Sequence, residues 1–257
     1  EVIFARTLGK ITIVHNTGGT VVVSAERSVS ITPSPGYLVR DVLVDGQSVV
    51  IVPAYAFADS ADHHLEVVFV PLGTVLSHLR DVGNHWAKND IAFVVARRLI
   101  VGTSATSFSP NLPITRAMLV SNLSRLGNNK AQGPAPFSDV APGAWYAQTV
   151  AWAAETGIDT GVGNGRFAPD RSATREELAV IFYNYCRYAG IELPKTPAPP
   201  FADSATISDW AREAVTAIQQ AGLMVGQGGN RFDPQSSLTR AEFAAVLQRF
   251  ITQILKQ

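Results

Sequence analysis

A single pattern occurs three times between residues 79 and 250, and it constrains the fold more than any other feature of the chain. The distance from tryptophan to phenylalanine is 22 residues in each copy, in the pairs Trp86 and Phe108, Trp145 and Phe167, and Trp210 and Phe232. Each phenylalanine is followed two residues later by proline and eight residues later by an arginine, which directly follows a threonine. Self-similarity at a fixed spacing indicates one repeated supersecondary unit, in which each copy buries its apolar face against its neighbours.

Each copy also repeats the spacing of its apolar residues. Positions 5, 8 and 13 after the tryptophan are apolar, and so are positions 3, 7 and 10 after the arginine, which is typical of one face of a helix. Between the two apolar stretches lies a loop that begins at Gly102, Gly161 or Gly226. The sequence therefore predicts that each copy consists of a helix, a glycine-bearing loop and a second helix.

Residues 1–71 follow a different pattern, in which short β-rich runs alternate with turn sequences. Five strands are predicted, at residues 10–15, 20–24, 29–32, 38–44 and 65–70. Between two of the apolar runs, Asp45-Gly46 tolerates positive φ at both positions, which predicts a tight hairpin. We therefore expect a mainly α chain with a small all-β domain at its N-terminus.

The composition narrows the classes of function. In 257 residues, 21 basic side chains balance 21 acidic ones, so the chain lacks the basic excess of a protein that binds nucleic acid or an anionic membrane. No apolar run approaches the roughly 18 residues of a membrane span. Because the sequence begins at Glu1 without a methionine, we expect a processed product or a piece of a longer protein.

Residues that could catalyse a reaction, or hold a metal or a cofactor, do not stand out. The lone Cys186 lies in a helical stretch with no histidine nearby, and is expected in the core. His63 and His64 are adjacent in a strand and so point to opposite faces, which disfavours a shared metal. We therefore expect no enzymatic activity, no metal site and no cofactor.

The start of the second helix in each copy is the strongest candidate for a binding site. Thr174 and Thr239 each precede a glutamate by three residues, which is the spacing of a capping box. Capping does not explain the arginine that follows each threonine, because a cation at a helix N-terminus opposes the helix dipole. One interpretation is a salt bridge to the box glutamate or to a neighbouring repeat. The other is that the arginine and the helix-start amides bind an anion, with a carboxylate best suited to the planar guanidinium.

The first copy departs from this pattern. Met118 stands where the box glutamate belongs, so Arg116 is expected to lack a local carboxylate partner. Its loop keeps Gly102 but has Ser104 and Thr106 at positions where the other loops have glycine or asparagine. Either Arg116 is more available to a ligand, or this copy has only a structural role.

The loop glycines are expected at positive φ or where the backbone approaches another group closely. Because they follow a helix and lead to Phe-x-Pro, they do not fit a dinucleotide-binding loop. The tryptophans each open an amphipathic helix, which favours packing in the core over stacking on a sugar. Aspartates five to seven residues before them, Asp81, Asp139 and Asp203, are typical of caps and turns.

These motifs together resemble the surface-layer homology (SLH) domain. The resemblance is carried by Phe137-Ser138-Asp139-Val140, the tryptophan, the glycines from Gly161, Phe167-Ala168-Pro169 and Thr174-Arg175-Glu176-Glu177, with their counterparts in the other copies. It implies three repeats, at residues 75–127, 134–190 and 200–254, arranged as a pseudo-threefold prism with grooves between adjacent repeats. Residues 1–71 resemble a small β-repeat module of exported bacterial proteins, through Ile31-Thr32-Pro33 and Asp41 to Gly46.

The SLH resemblance also implies a function. Such triplets typically anchor exported bacterial proteins to the cell wall by binding secondary cell wall polysaccharide, often through pyruvylated N-acetylmannosamine. The arginines would contact the ketal carboxylate, and loop glycines and tryptophans the sugar ring. The implied ligand-binding residues are Arg116, Arg175, Arg240, Gly102, Gly163, Gly228, Trp86, Trp145 and Trp210.

The expectation is therefore an extracellular, non-catalytic wall anchor that acts as a monomer, without nucleic acid or membrane insertion. The alternative class is a helical-repeat scaffold that binds a protein partner.

Overall fold

The computed structural model describes residues 8–49, 54–127, 129, 131 and 133–255. The chain divides into two compact units. One comprises the described residues up to Phe108 together with those from Ile251, and the other runs from Ser109 to Phe250. Residues 194–200, among which prolines cluster, have neither helix nor strand.

In its described residues up to Phe108, the first unit contains two β-sheets followed by two α-helices. Its strands are β1 (Ile11–His15), β2 (Gly19–Val23), β3 (Ser28–Pro33), β4 (Tyr37–Val44), β5 (Gln47–Ser48), β6 (Ala54–Ala56) and β7 (His63–Pro71), followed by α1 (Leu72–Leu76) and α2 (Lys88–Ala96). One sheet has the order β1-β7-β4-β5, with β1 parallel to β7 and the other pairs antiparallel. The second sheet, β2-β3-β6, is antiparallel. All five predicted strands are present, whereas β6, only three residues long, has no alternating pattern to reveal it.

Alternating side chains from both sheets form a shared apolar core. On β7, Leu65, Val67 and Phe69 are buried, and they pack in one cluster with residues of β3 such as Val29. The hairpin predicted at Asp45-Gly46 is confirmed, because it joins β4 to β5 with φ values of 51° and 79°. The N-terminal β region is thus built as the period-two pattern predicts.

The second unit contains the remaining helices, which are α3 (Arg116–Leu126), α4 (Ala147–Glu155), α5 (Arg175–Tyr188), α6 (Arg212–Gln220) and α7 (Arg240–Arg249). A π-helical turn, Phe250–Ile254, follows. None of the helices within the described residues is long and apolar enough to cross a membrane. Cys186 is buried in α5, as expected, and burial raises the pKa of its thiol to about 12.

The helical periodicity predicts the apolar core of both units. The apolar positions after each tryptophan and each arginine are all buried, at Ile91, Val94, Leu99, Val150, Ala153, Ile158, Val215, Ile218, Leu223, Leu119, Leu123, Leu126, Leu178, Phe182, Tyr185, Phe243, Leu247 and Phe250. The helices α2, α4 and α6 each begin two residues after the tryptophan. Each ends two residues before a position of positive φ, at Arg98 (56°), Gly157 (71°) and Gly222 (70°), which is where left-handed backbone terminates a helix.

A ring of three backbone hydrogen bonds joins the repeats within the second unit. Ile114 N–H donates to the Leu238 carbonyl, Leu238 N–H donates to the Ala173 carbonyl, and Ala173 N–H donates to the Ile114 carbonyl, each at 2.9 Å. All three residues directly precede a helix-capping threonine. Since every member donates once and accepts once, the three copies have equivalent roles at this point.

Candidate functional site

The second helix of each repeat begins as its sequence predicts. The Thr115, Thr174 and Thr239 side chains each accept a hydrogen bond from the backbone N–H three residues later, at 3.2 to 3.3 Å. The reciprocal glutamate bond completes a capping box in α5 and α7. Thr115 caps α3 although Met118 stands at the position of the box glutamate, so the cap does not depend on that glutamate.

The helix-start amides are occupied by protein acceptors. Arg116 N–H and Ala117 N–H both donate at 3.0 Å, to the carbonyls of Arg171 and Pro169 in the second repeat. The equivalent amides of α5 donate to carbonyls of the third repeat, and those of α7 to carbonyls at Pro110 and Leu112, at 2.9 to 3.1 Å. The expectation that these amides take an external anion is therefore wrong at the first two positions of each helix.

Arg116 is buried and has two carboxylate partners, neither of which lies in its own repeat. Its side chain is 3% exposed, and its Nη2 donates to both Asp159 oxygens at 2.7 and 2.8 Å. Its Nη1 lies 3.2 Å from Glu177 Oε1, and its Nε donates to the Phe167 carbonyl at 2.9 Å. The sequence predicts no carboxylate partner within the first repeat, and both carboxylates indeed come from the second repeat.

Arg175 makes the equivalent contacts with the third repeat, with one difference. Its Nε donates to the Phe232 carbonyl at 2.6 Å and its Nη1 to Glu242 at 3.2 Å, but its Nη2 donates to the backbone carbonyl of Val225 at 3.1 Å. Burial lowers the pKa of Arg175, although Glu242 opposes that shift. For these two arginines the structure bears out the interpretation of a salt bridge to a neighbouring repeat.

Asp159 was not identified from the sequence as a functional residue. The positions equivalent to it in the other loops are Ile100 and Met224, both buried and apolar. Burial raises the pKa of Asp159, and the contact with Arg116 offsets part of that effect. The sequence could have revealed Asp159 through this difference, because it is an acidic residue at a position that is apolar in the other two repeats. The third arginine, Arg240, is also buried.

The aspartates before each tryptophan hold the loops rather than cap helices. Asp139 accepts hydrogen bonds from the Phe167 and Ala168 amides at 2.8 and 2.9 Å, and Asp203 does the same at Phe232 and Asp233. Desolvation disfavours their ionisation, but the backbone hydrogen bonds outweigh it and lower the pKa of both carboxyls. These bonds fix the residue after the phenylalanine in the left-handed region, with φ of 56° at Ala168.

The prediction that the tryptophans lie in the core is wrong. Trp86, Trp145 and Trp210 are 65, 63 and 59% exposed. Each lies two residues before its helix begins, so the helical phase that buries the later apolar positions does not apply to it. Exposed indole rings of this size are available for stacking against a ligand.

The loop glycines divide into two kinds. A Cβ at Gly102 or Gly161 would come within 2.6 or 2.5 Å of a carbonyl oxygen across the loop, so glycine is required there by packing. Gly163 has a φ of 92° and Gly228 does not lie at positive φ, and a Cβ at either would meet nothing within 4 Å. The predicted site glycines Gly163 and Gly228 therefore border open space.

A cavity of about 430 Å³ lies beside Arg116 in the second unit. Residues of all three repeats line it, including Arg116, Asp159, Arg171, Glu177, Asn184 and Trp210. Of the predicted site residues, the structure brings Arg116 and Trp210 together here, while Arg175, Gly163 and Trp145 do not line this cavity. An aromatic face beside an amide and a partly exposed guanidinium, Arg171, suits a polar ring that carries an acidic group.

The segment that carries Trp210 is fixed by a buried glutamate. Glu176 is 2% exposed and accepts hydrogen bonds from Ser208 N–H at 3.1 Å, Ser208 Oγ at 3.0 Å and Gln235 Nε2 at 2.5 Å. Ser208 lies two residues before Trp210. Glu176 therefore ties the start of α5 to the wall of the cavity that the indole forms.

Metal ligands are not clustered in the part of the chain that the structure describes. Within it, no group of three or more His, Cys, Asp or Glu side chains is arranged to hold an ion.

Comparison with known proteins also finds three repeats in this chain. Residues 79–117, 136–179 and 200–244 match the S-layer homology domain. The chain is 36% identical over 170 residues to the amylopullulanase of Thermoanaerobacterium thermosulfurigenes, covering 65% of this chain and 9% of that protein. It is 29% identical over 172 residues to the surface-layer 125 kDa protein of Lysinibacillus sphaericus, covering 66% of this chain and 14% of that protein. Over 177 residues it is 28% identical to the S-layer protein sap of Bacillus anthracis, covering 68% of this chain and 20% of that protein.

The chain thus spans at most a fifth of the length of these three relatives. In the two surface-layer proteins, as in the amylopullulanase, the match covers about two thirds of this chain. The domain match and the surface-layer relatives indicate a protein of the cell surface. The chain carries three tandem S-layer homology domains and belongs to the proteins defined by that domain.

Proposed function

We propose that this chain anchors an exported protein non-covalently to the bacterial cell wall by binding a carboxylate-bearing secondary cell wall polysaccharide of the pyruvylated N-acetylmannosamine type. The chain itself performs no catalysis in this proposal. It is organised as a β module at residues 1–71 and SLH repeats at residues 75–127, 134–190 and 200–254. The closed ring of hydrogen bonds through Ile114, Ala173 and Leu238 supports a pseudo-threefold arrangement of those repeats.

The observation that carries the proposal is the cavity beside Arg116. It is large enough for a sugar ring, and Trp210 presents an indole that is 59% exposed at its wall. Asn184 supplies an amide, and Arg171, whose side chain is 44% exposed, supplies a guanidinium; both are suitable donors for hydroxyl, acetamido and carboxylate groups. Surface-layer proteins among the relatives support the cell wall as the place of binding.

Co-sedimentation with purified cell walls tests this function. We expect the chain to sediment with intact walls and to remain in solution with walls from which the polysaccharide has been extracted. The Trp210→Ala variant should lose most wall binding, while Tyr188→Ala, which removes an exposed aromatic that does not line the cavity, should bind as the wild type does.

The rival class, a helical scaffold for a protein partner, predicts a different result. Exposed apolar side chains on the loops, such as Val225 and Leu112, are the observation that favours it. Binding that survives extraction of the polysaccharide and is lost after protease treatment of the walls would support the scaffold and contradict the anchor.

A further inference from the structure

We propose that Arg171 is the residue that recognises the acidic group of the sugar in the cavity beside Arg116, and that Asp159 prevents Arg116 from doing so. This inference rests on the proposed function and assigns the specificity of one of its sites. It differs from the expectation that the motif arginine itself meets the carboxylate.

The first step concerns Arg116. Its side chain is 3% exposed, and its Nη2 donates to both oxygens of Asp159. A ligand carboxylate could bind there only by displacing Asp159, whose side chain is 5% exposed. The displaced carboxylate would keep the Gly161 N–H at 2.9 Å and would otherwise be buried without its cation, which is strongly unfavourable.

The second step concerns Arg171. Its side chain lines the same cavity, is 44% exposed and donates to Glu177 Oε1. Glu177 also accepts two other hydrogen bonds, from Arg116 Nη1 at its Oε1 (3.2 Å) and from the Thr174 N–H at its Oε2 (2.9 Å). A ligand carboxylate can therefore replace Glu177 at Arg171 without leaving Glu177 unpaired. Of the two cations that line this cavity, Arg171 is the one an acid can reach at small cost.

The third step concerns the other repeats. The positions equivalent to Arg171 are Leu112 and Ser236, and those equivalent to Asp159 are Ile100 and Met224. Neither of the other repeats has an aspartate at the position of Asp159 or an arginine at the position of Arg171. We therefore assign acid selectivity to the cavity that contains Trp210, through a residue outside the three-copy pattern.

The test is calorimetric titration of the full chain with a pyruvylated N-acetylmannosamine glycoside and with the same glycoside lacking pyruvate. We expect Arg171→Gln to weaken binding of the pyruvylated glycoside about tenfold, which corresponds to loss of a charge-assisted hydrogen bond. Binding of the unmodified glycoside should not change. Arg166→Gln is the matched control, because Arg166 is 64% exposed and does not line the cavity.

Three results would count against the account, and they are distinguishable. If the wild type binds neither glycoside nor intact walls, the proposed function is wrong. If the wild type binds the pyruvylated glycoside and Arg171→Gln binds it equally well, the function stands and the assignment to Arg171 is wrong. An equal loss for both glycosides would also overturn the assignment, because Arg171 would then not act on the acidic group.

Discussion

Arg116 donates from one guanidinium nitrogen to both carboxylate oxygens of Asp159, 43 residues further along the chain, at 2.7 and 2.8 Å. Both side chains are almost fully buried. The bond joins the start of α3 in the first repeat to the loop of the second. The sequence leaves open whether this arginine pairs with an internal carboxylate or with an external anion, and in the structure it pairs with an internal carboxylate.

Removal of one partner of this pair is expected to destabilise the second unit. In Arg116→Ala the Asp159 carboxylate stays buried without its cation, which costs about 3–5 kcal/mol. Urea unfolding, followed by tryptophan fluorescence, measures the change in the free energy of unfolding.

The matched control is the double variant Arg116→Met with Asp159→Leu, because the other repeats have apolar residues at the position of Asp159. Replacing both charges by apolar groups of similar volume is often neutral, so most of the loss should be recovered. A double variant as unstable as the single one would show that the pair itself is not the source of the stability.

Because the tryptophans are exposed, we expect their removal to weaken ligand binding without lowering the stability of the fold. Trp210→Ala should change the free energy of unfolding by no more than about 0.5 kcal/mol, because an exposed surface substitution removes little packing. Phe167→Ala, at a fully buried ring, should cost about 3–5 kcal/mol. Thermal unfolding of the two variants checks both values, and a large loss for Trp210→Ala would mean that the indole is part of the core.

Substitutions of the loop glycines are expected to reduce the free energy of unfolding by different amounts. Gly161→Ala combines a φ of 84° with a Cβ 2.5 Å from the Arg166 carbonyl oxygen, so a loss of about 2 kcal/mol or more is expected. Gly165→Asn should be nearly neutral, because Asn230 stands at the equivalent position with a φ of 56° and Gly165 itself has open space. Chemical denaturation of both variants measures the difference, and equal losses would contradict the role of the carbonyl contact.

The sequence predicts the repeating parts of this fold well and the contacts between repeats poorly. The helical period identifies buried positions such as Leu119 and Phe182, and the threonine spacing identifies the caps, because both depend on neighbours within a few residues. Asp159 and Glu177 were not identified as partners of Arg116, because their contact arises only when two repeats pack together. The core position predicted for the tryptophans is wrong because each helix begins two residues after its tryptophan, so the helical period does not apply to the tryptophan itself.

In the first unit, His63 forms a pH-sensitive link between two carboxylates. Its Nδ1 lies 2.7 Å from Asp45 and its Nε2 2.8 Å from Asp59, and its ring stacks on Phe57 at 4.5 Å. The hydrogen bond to Asp45 and then that to Asp59 raise the pKa of His63 above its ordinary value of 6.5. The stabilisation from charged His63 is therefore complete below pH 6.5 and is lost as the pH rises through the folded-state pKa.

Urea unfolding of the whole chain across a series of pH values tests this link. The wild type should lose stability above pH 6.5, and His63→Gln should show a weaker dependence over the same range. Among the described residues, the His15 ring contacts the neighbouring Asn16 carbonyl and the edge of Phe69, so His15→Gln serves as the control and should behave as the wild type does. A wild-type curve that is flat above pH 6.5 would contradict the link.

A crystal structure of the chain soaked with a pyruvylated N-acetylmannosamine glycoside would show directly whether the cavity beside Arg116 holds the sugar. We predict sugar density in that cavity, with the ring against Trp210, the carboxylate on Arg171 and the Asp159 contact to Arg116 intact. Sugar bound away from that cavity, or an unoccupied cavity at saturating glycoside, would contradict it.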